Sequence, residues 1–248
     1  MDWVWITLVP FALLATAVFL LSRPIKIPRE PEREGYQDEE ASLAYDRTSR
    51  WPIFAFERRL VLNALGRHRI QGLLLDIGCG PGYLAAKIGG QFPGLEVLGL
   101  DPNRHMISIA SAKLSRAHGE FNLVLGDASA LPFASNTVDI VVSSLSLHHW
   151  KDPSRAFLEI YRVLAPGGRL MVFDARRDVP LLVFHAFRVG QALFGPRAIR
   201  RTNGAVGSLW SSYTADELER LLFAQQFGSV AVAQGFAWLL LKAVKPSR

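Results

Sequence analysis

The sequence predicts an α/β protein built on a doubly wound, mostly parallel sheet, and three observations carry that prediction. Short apolar runs that end in turn residues alternate with helix-length stretches along most of the chain. One such run, LLLDIG at 73–78, opens into Gly78, Gly80 and Gly82, where a buried strand has to turn into a helix. Two closing runs, GSVAVA and WLLLKAV, are separated by a short Gly-containing stretch and read as a hairpin that adds an antiparallel strand at one edge.

Taken in chain order, the first element is apolar. WVWITLVPFALLATAVFLLS, Trp3 to Ser22, carries no ionisable side chain and has the length of a bilayer-spanning helix. It accounts for a mean hydropathy of +0.17 and a 50% share of hydrophobic residues. A cleaved signal peptide is the competing reading, but no Lys or Arg precedes the run and no A-x-A site closes it. Arg23, Lys26 and Arg29 follow at once, so the positive-inside rule predicts a single-pass membrane protein with its domain on the cytoplasmic side. Residues 23–42, rich in charge and proline, read as a semi-extended tether, and 43–248 as the folded domain.

Within the domain, WPIFAFERRLVLNAL (51–65) reads as an amphipathic helix and LLLDIG as the first strand. PGYLAAKIG begins with a proline suited to a first helical turn. LEVLGLD (95–101) is the second strand, PNRHMISIASAKLSRA a helix, FNLVLGDA the third strand and VDIVVSSLSL the fourth. Asp152-Pro153 starts a helix that reaches Leu164, and APGG is its stop signal before the fifth strand, RLMVFDA. Thr214-Ala-Asp-Glu217 is a capping box that opens the last helix.

In such a sheet ligands lie at the carboxyl ends of the strands. The glycine spacing here is G-x-G-x-G, and Tyr83 stands where the dinucleotide fingerprint G-x-G-x-x-G has its third glycine. Asp76 lies just before the loop, where it would repel a pyrophosphate and welcome an ammonium group. The loop therefore points to a positively charged cofactor and away from a nicotinamide oxidoreductase.

DIGCGPG resembles the first motif of the class I S-adenosylmethionine-dependent methyltransferases, the seven-stranded Rossmann-like group. The resemblance runs on in order over roughly 43–244. It implies that Asp76, Gly78, Gly80 and Gly82 form the cofactor loop, and that Asp101 with Pro102, in LGLDPN, holds the ribose. It further implies that Met106 lies against adenine, that Asp127 and Ala128 of GDASALPF read the adenine edge, and that Ser144 and Leu145 run beside the methionine part. The block from Val138 to Asp174 resembles the branch that includes the quinone-biosynthesis methyltransferases. The implied cofactor is S-adenosylmethionine. The implied acceptor is a small, lipophilic, quinone- or lipid-like molecule, with a hydrophobic thiol as the alternative. A cofactor-binding scaffold without turnover is the alternative outside the class.

Methyl transfer from a sulfonium needs alignment in a water-poor site, and a base only where the acceptor must lose a proton. His148 and His149 follow the fourth strand and are the candidates for that base; capping the turn before Asp152 is the structural alternative. Asp174 ends the fifth strand and has Arg176 and Arg177 as alternative partners, while Tyr45 falls in the segment that covers the cofactor in the resembled family. Cys79, the sole cysteine, reads as a small buried loop residue and not as a nucleophile. No metal-binding pattern is present.

The insertion at 179–201, VPLLVFHAFRVGQALFGPRAIRR, reads as a helix with a narrow polar stripe of His185, Arg188 and Gln191. It is expected either to roof the acceptor pocket or to touch a membrane surface through its arginines. The net charge of +6 fits nucleic acid or an anionic surface. The arginine clusters are interleaved with apolar residues and no base-flipping motif appears, so nucleic acid is set aside. Oligomeric state is not legible in the sequence.

Overall fold

The computed structural model describes residues 21–25, 27–30, 38–66, 70–201 and 204–247. Its elements are α1 (Glu39–Thr48), α2 (Pro52–Leu65), β1 (Gln71–Ile77), α3 (Tyr83–Gln91), β2 (Gly94–Asp101) and α4 (Arg104–Leu114). There follow β3 (Glu120–Leu125), β4 (Val138–Ser144), a 3₁₀ turn (Leu147–His149), α5 (Pro153–Val163), β5 (Leu164–Ala175) and α6 (Leu181–Phe194). The chain closes with α7 (Arg197–Arg201), α8 (Gly204–Ser211), α9 (Ala215–Phe223), β6 (Ser229–Gln234) and β7 (Trp238–Val244).

The seven strands form one sheet in the order β3-β2-β1-β4-β5-β7-β6, with β1 to β5 mutually parallel. Strand β7 runs antiparallel between β5 and β6, so the edge strand is β6 and the antiparallel partner of β5 lies one place inside. Alternation along β1 shows why both faces are covered. Leu74 joins Ile88 of α3 and Val61 of α2 on one face, while Leu75 and Ile77 join Phe157 and Ile160 of α5 on the other. The strand order reverses between β1 and β4, and the crevice at their carboxyl ends is where such sheets bind ligands.

Three expectations are corrected. The helix stop at APGG is part of β5, which starts directly at Leu164. Val138 pairs with Leu164 and Ile140 already with Arg169, so the surplus residues are absorbed as an irregularity in the ladder. The tether is shorter and less free than composition predicts. Helix α1 begins at Glu39, capped by Asp38, whose side chain accepts from Ala41 N at 2.7 Å. Upstream, Ile25 N donates to Val179 O at 2.9 Å and Arg177 Nε to Ile27 O at 2.7 Å, which docks this piece on the segment after β5.

The third correction concerns the membrane. No helix among the described residues is long and apolar enough to cross one. The longest, α2 and α6, have 14 residues where a bilayer core needs about 20. This overturns the single-pass, cytoplasm-facing location; of the expected span 3–22, residues 3–20 lie outside the described residues.

Candidate active site

The glycine loop is shaped by contacts that side chains would destroy. Gly78 has φ +72°, and a Cβ there would meet Ser146 Cβ at 2.3 Å, so backbone freedom and space both demand glycine. Gly78 N and Cys79 N donate to Leu100 O at 2.7 and 3.1 Å, and Gly80 N donates to Asp101 Oδ2 at 2.9 Å. These bonds tie the loop to the end of β2. Asp101 also accepts from Asn103 N at 2.9 Å, so its carboxylate fixes two turns together. Lys113 braces the loop from outside: its Nζ donates to Pro81 O at 2.7 Å and pairs with Asp46 of α1 at 2.8 Å.

Inside this loop is a cleft of about 50 Å³, with Asp76, Gly78, Gly80 and Ser144 among its walls. Two carboxylates, Asp76 and Glu57, line it, and Asp101 lies behind the loop, bonded to Gly80 N. Asp76 is 1% exposed, and its Oδ2 has no hydrogen-bond partner among the described residues. Burial first, then the neighbouring charges of Glu57 and Asp101, push its carboxyl up to about 8. Glu57 is 6% exposed and goes up to about 7 through burial, against the opposing hydrogen bond donated by Ser144 Oγ. Burial raises Asp101 as well, opposed by its backbone donors. Cys79 is buried among these acids, its thiol pushed up by burial, which suits a loop-filling residue.

Beyond the cleft opens a second cavity of about 540 Å³, walled by α1, α2, α6, α8 and the loop before β7. Its lining is aromatic and aliphatic, including Phe54, Phe173, Phe187, Phe194 and Trp238. Helix α6 presents Ala186, Phe187, Gly190, Gln191 and Phe194 to it, one face at helical spacing. Gln191 therefore faces the cavity and α8, where its Oε1 accepts from Val206 N at 3.0 Å, in place of the polar stripe expected with His185 and Arg188.

The histidine pair lines this cavity at its floor, the rings 4.1 Å apart. His148 is 3% exposed, and its Nδ1 lies 2.6 Å from Asp174 Oδ1, while its backbone N donates to Asp174 Oδ2 at 3.0 Å. Asp174 thus clamps ring and backbone together, and Arg176 pairs with Asp178 instead. His149 lies on the side of Asp101, whose ionised form a charged imidazole there would favour.

Of the residues marked from sequence, Asp76, Gly78, Gly80, Ser144 and Leu145 come together in the small cleft, and His148, His149, Leu145 and Tyr45 in the large cavity. Leu145 borders both, in a left-handed conformation at φ +53° that a leucine seldom adopts. Gly82, Asp101, Pro102, Met106, Asp127 and Ala128 lie outside both linings. Gly82 serves as the left-handed cap of α3, Met106 is 4% exposed within α4, and Asp127 accepts from Ser129 N at 2.8 Å in a surface turn. Sequence reasoning missed Glu57. The signal was present: Glu57, Val61 and Leu65 recur at four-residue spacing, so the acid shares the buried stripe of α2.

Residues 75–172 match a family model described as a methyltransferase domain. A ubiquinone/menaquinone biosynthesis C-methyltransferase of Syntrophotalea carbinolica is 33% identical over 56% of this chain and 60% of its own length. A demethylmenaquinone methyltransferase of Thermus thermophilus is 39% identical over 41% of this chain and 46% of its own. The chain thus spans about half the length of the curated relatives it matches. Among solved structures, a putative S-adenosyl-L-methionine-dependent methyltransferase of Methanococcus maripaludis is similar with TM-score 0.64 and 22% identity, covering 88% of this chain and 98% of that one. At that identity the likeness is one of fold.

Proposed function

We propose that this chain, which carries a methyltransferase domain of the S-adenosylmethionine-dependent class, transfers a methyl group to a small lipophilic acceptor held above the histidine pair. One observation carries the reading: the acid-lined cleft at the glycine loop and the large apolar cavity share four walls, Tyr45, Phe54, Glu57 and Leu145. A cationic cofactor in the first and an apolar acceptor in the second would meet across them. The quinone-biosynthesis names of the relatives support a quinone- or lipid-like ring as the acceptor.

The residues present fit the cofactor on two counts. The loop backbone at Gly80, with φ +51° and only the Tyr45 ring within 4 Å of where a Cβ would stand, leaves room for a ligand beside the cleft, and the orphaned Asp76 Oδ2 calls for a cation. Asp76, the backbone of Gly78 and Gly80, and Ser144–Leu145 would hold the methionine end; Asp101 with Pro102 the ribose; and Met106, Asp127 and Ala128 the adenine. When bound, the cofactor supplies an electrophilic methyl group on a sulfonium sulfur.

The rest is the work of the chain. The aromatic walls exclude water and orient the acceptor. Asp174, 2.6 Å from His148 Nδ1, orients the imidazole, and the pair would serve as the base that takes the acceptor's proton. This dyad favours a hydroxyl or activated carbon acceptor over a thiol, which hardly needs a base.

Incubation of the full chain with methyl-labelled S-adenosylmethionine and a demethylated naphthoquinol tests the proposal. Label should pass to the quinol, and His148→Ala should lower kcat by about 10²–10⁴ with little change in KM. If neither that quinol nor any component of a lipid extract takes up label, the transferase reading fails.

A further inference from the structure

Glu57 lies outside the stretch matched by the methyltransferase family and is carried by α2, a helix that precedes the first strand. It is the one carboxylate among the described residues that border both cavities. An acid in the wall of an otherwise apolar chamber is costly unless something cationic compensates it.

The carboxylate is turned toward the cofactor side. Its partner is Ser144 Oγ, and Ser144 borders the small cleft but not the large cavity. Across that cleft is Asp76, close enough for the charge of Glu57 to act on it, with Oδ2 buried and unpartnered. Arg58 acts on Glu57 through its charge and its backbone N–H, but the guanidinium and ammonium groups nearest to hand are bonded elsewhere. Arg58 donates to Ser49 O at 3.0 Å and lies over the Tyr83 ring, and Lys113 is held by Asp46 and Pro81. Two buried carboxyls thus face one small space with no side-chain cation bonded to either among the described residues. The arrangement suits a compact ammonium, which can satisfy two carboxylates at once and still donate a third hydrogen bond.

Resting on the methyltransferase reading, we propose that Glu57 and Asp76 form a two-carboxylate clamp on the α-ammonium group of the cofactor's methionine moiety, with Ser144 holding Glu57 in place. The clamp makes Glu57 a cofactor-binding residue, although it stands in the wall of the acceptor chamber. It also gives α2 a purpose beyond packing: the helix brings to the glycine loop a charge that the loop's own strand cannot supply. The same contact would pin the methionine end against the partition between the chambers and so keep the reacting end of the cofactor directed at the acceptor.

The clamp is tested by binding, independently of turnover. Titration calorimetry on the full chain compares S-adenosylhomocysteine, which carries the ammonium, with 5′-methylthioadenosine, which has the same nucleoside and no amino acid. Glu57→Gln, nearly isosteric, should weaken S-adenosylhomocysteine by roughly tenfold to a hundredfold, the loss expected for one charged hydrogen bond. Methylthioadenosine should be unaffected. Equal affinity of wild type and variant for S-adenosylhomocysteine overturns the clamp, as does a parallel loss for both ligands in a variant that melts like wild type. If Glu57→Gln does not fold, Glu57→Asp replaces it, keeping the charge but withdrawing it by one methylene; the same selective loss supports the clamp and its absence overturns it. A wild-type protein that binds neither nucleoside refutes the cofactor reading itself, which separates that failure from a failure of the clamp.

Discussion

The small cleft and the large cavity share four residues, yet they are built in opposite ways. One side of the cleft is the backbone and short side chains of the glycine loop and the end of β4, held by local bonds such as Gly80 N to Asp101, and Tyr45, Phe54 and Glu57 of the first two helices close the other side. The cavity is made largely of aromatic and aliphatic side chains from α1, α2, α6, α8 and the β6–β7 hairpin, segments far apart in the chain. A site that must hold one charged nucleoside is specified by geometry and charge. A site for an apolar acceptor is specified by volume and shape, which many side chains can provide. The difference teaches where this protein tolerates change: little at the loop, much in the roof.

The sharpest way to break that contrast is to fill the loop. Gly78→Ala combines a positive φ with a clash against Ser146 and is expected to cost about 2–5 kcal/mol. Thermal melting and titration with S-adenosylhomocysteine should show a destabilised protein with nucleoside binding lost; tolerance of the alanine would mean that the loop is not the rigid half.

A smaller effect comes from pH. Asp76 and Glu57 rise on folding from 3.8 and 4.5 to about 8 and about 7, so each binds its proton more tightly folded than unfolded. Folding therefore takes up protons above the unfolded values. The stability of the ligand-free protein should fall as pH rises from about 4 and level off above about 8, by up to ~1.4 kcal/mol per pH unit per group. Burial also works upward on Asp46 and Glu217, but Lys113 with Arg50, and Arg177 with the Thr214 hydrogen bonds, together outweigh it and leave both below the usual range, so their contributions change only at lower pH. Melting curves across this window should flatten in Asp76→Asn and with saturating S-adenosylhomocysteine. An equally steep fall in both would place the buried charge elsewhere.

The gentlest test addresses the roof. Nothing lies within 4 Å of a Cβ built on Gly190, which lines the cavity on α6. Gly190→Leu should keep the helix, with a gain of up to ~1 kcal/mol in propensity, and occupy acceptor space. The acceptor KM should rise about tenfold, near 1.4 kcal/mol, while S-adenosylhomocysteine affinity stays as in wild type. If nucleoside affinity drops instead, the two chambers are not separable.

The cleft was largely legible beforehand because strand, turn and acid fall within a few residues of one another, as in Leu73 to Gly82. The cavity was not. His148 and Asp174 were each marked as candidates, but 26 residues separate them and only the β4–β5 pairing brings them to 2.6 Å. Glu57 was hidden in a helix whose overall pattern reads as packing, and Gln191 in a narrow polar stripe shared with His185 and Arg188. Helix α1 was obscured by the charge of EEASLAYDRT: its buried apolar face is only Ala41 and Ala44, and the rest of its support comes from the Asp38 cap and contacts such as Asn103 Nδ2 to Ser42 Oγ at 3.0 Å.

By itself the amino-acid order determined the succession of strands and helices, the need for glycine after the first strand, and the acids at successive strand tips. All of these follow from short-range sterics and periodicity. Tertiary packing alone decided that α2 delivers an acid to the loop, that a histidine and an aspartate become partners, and that five separate segments enclose an apolar chamber. Those outcomes depend on distances between residues remote in the chain, and no local pattern encodes a distance across a sheet.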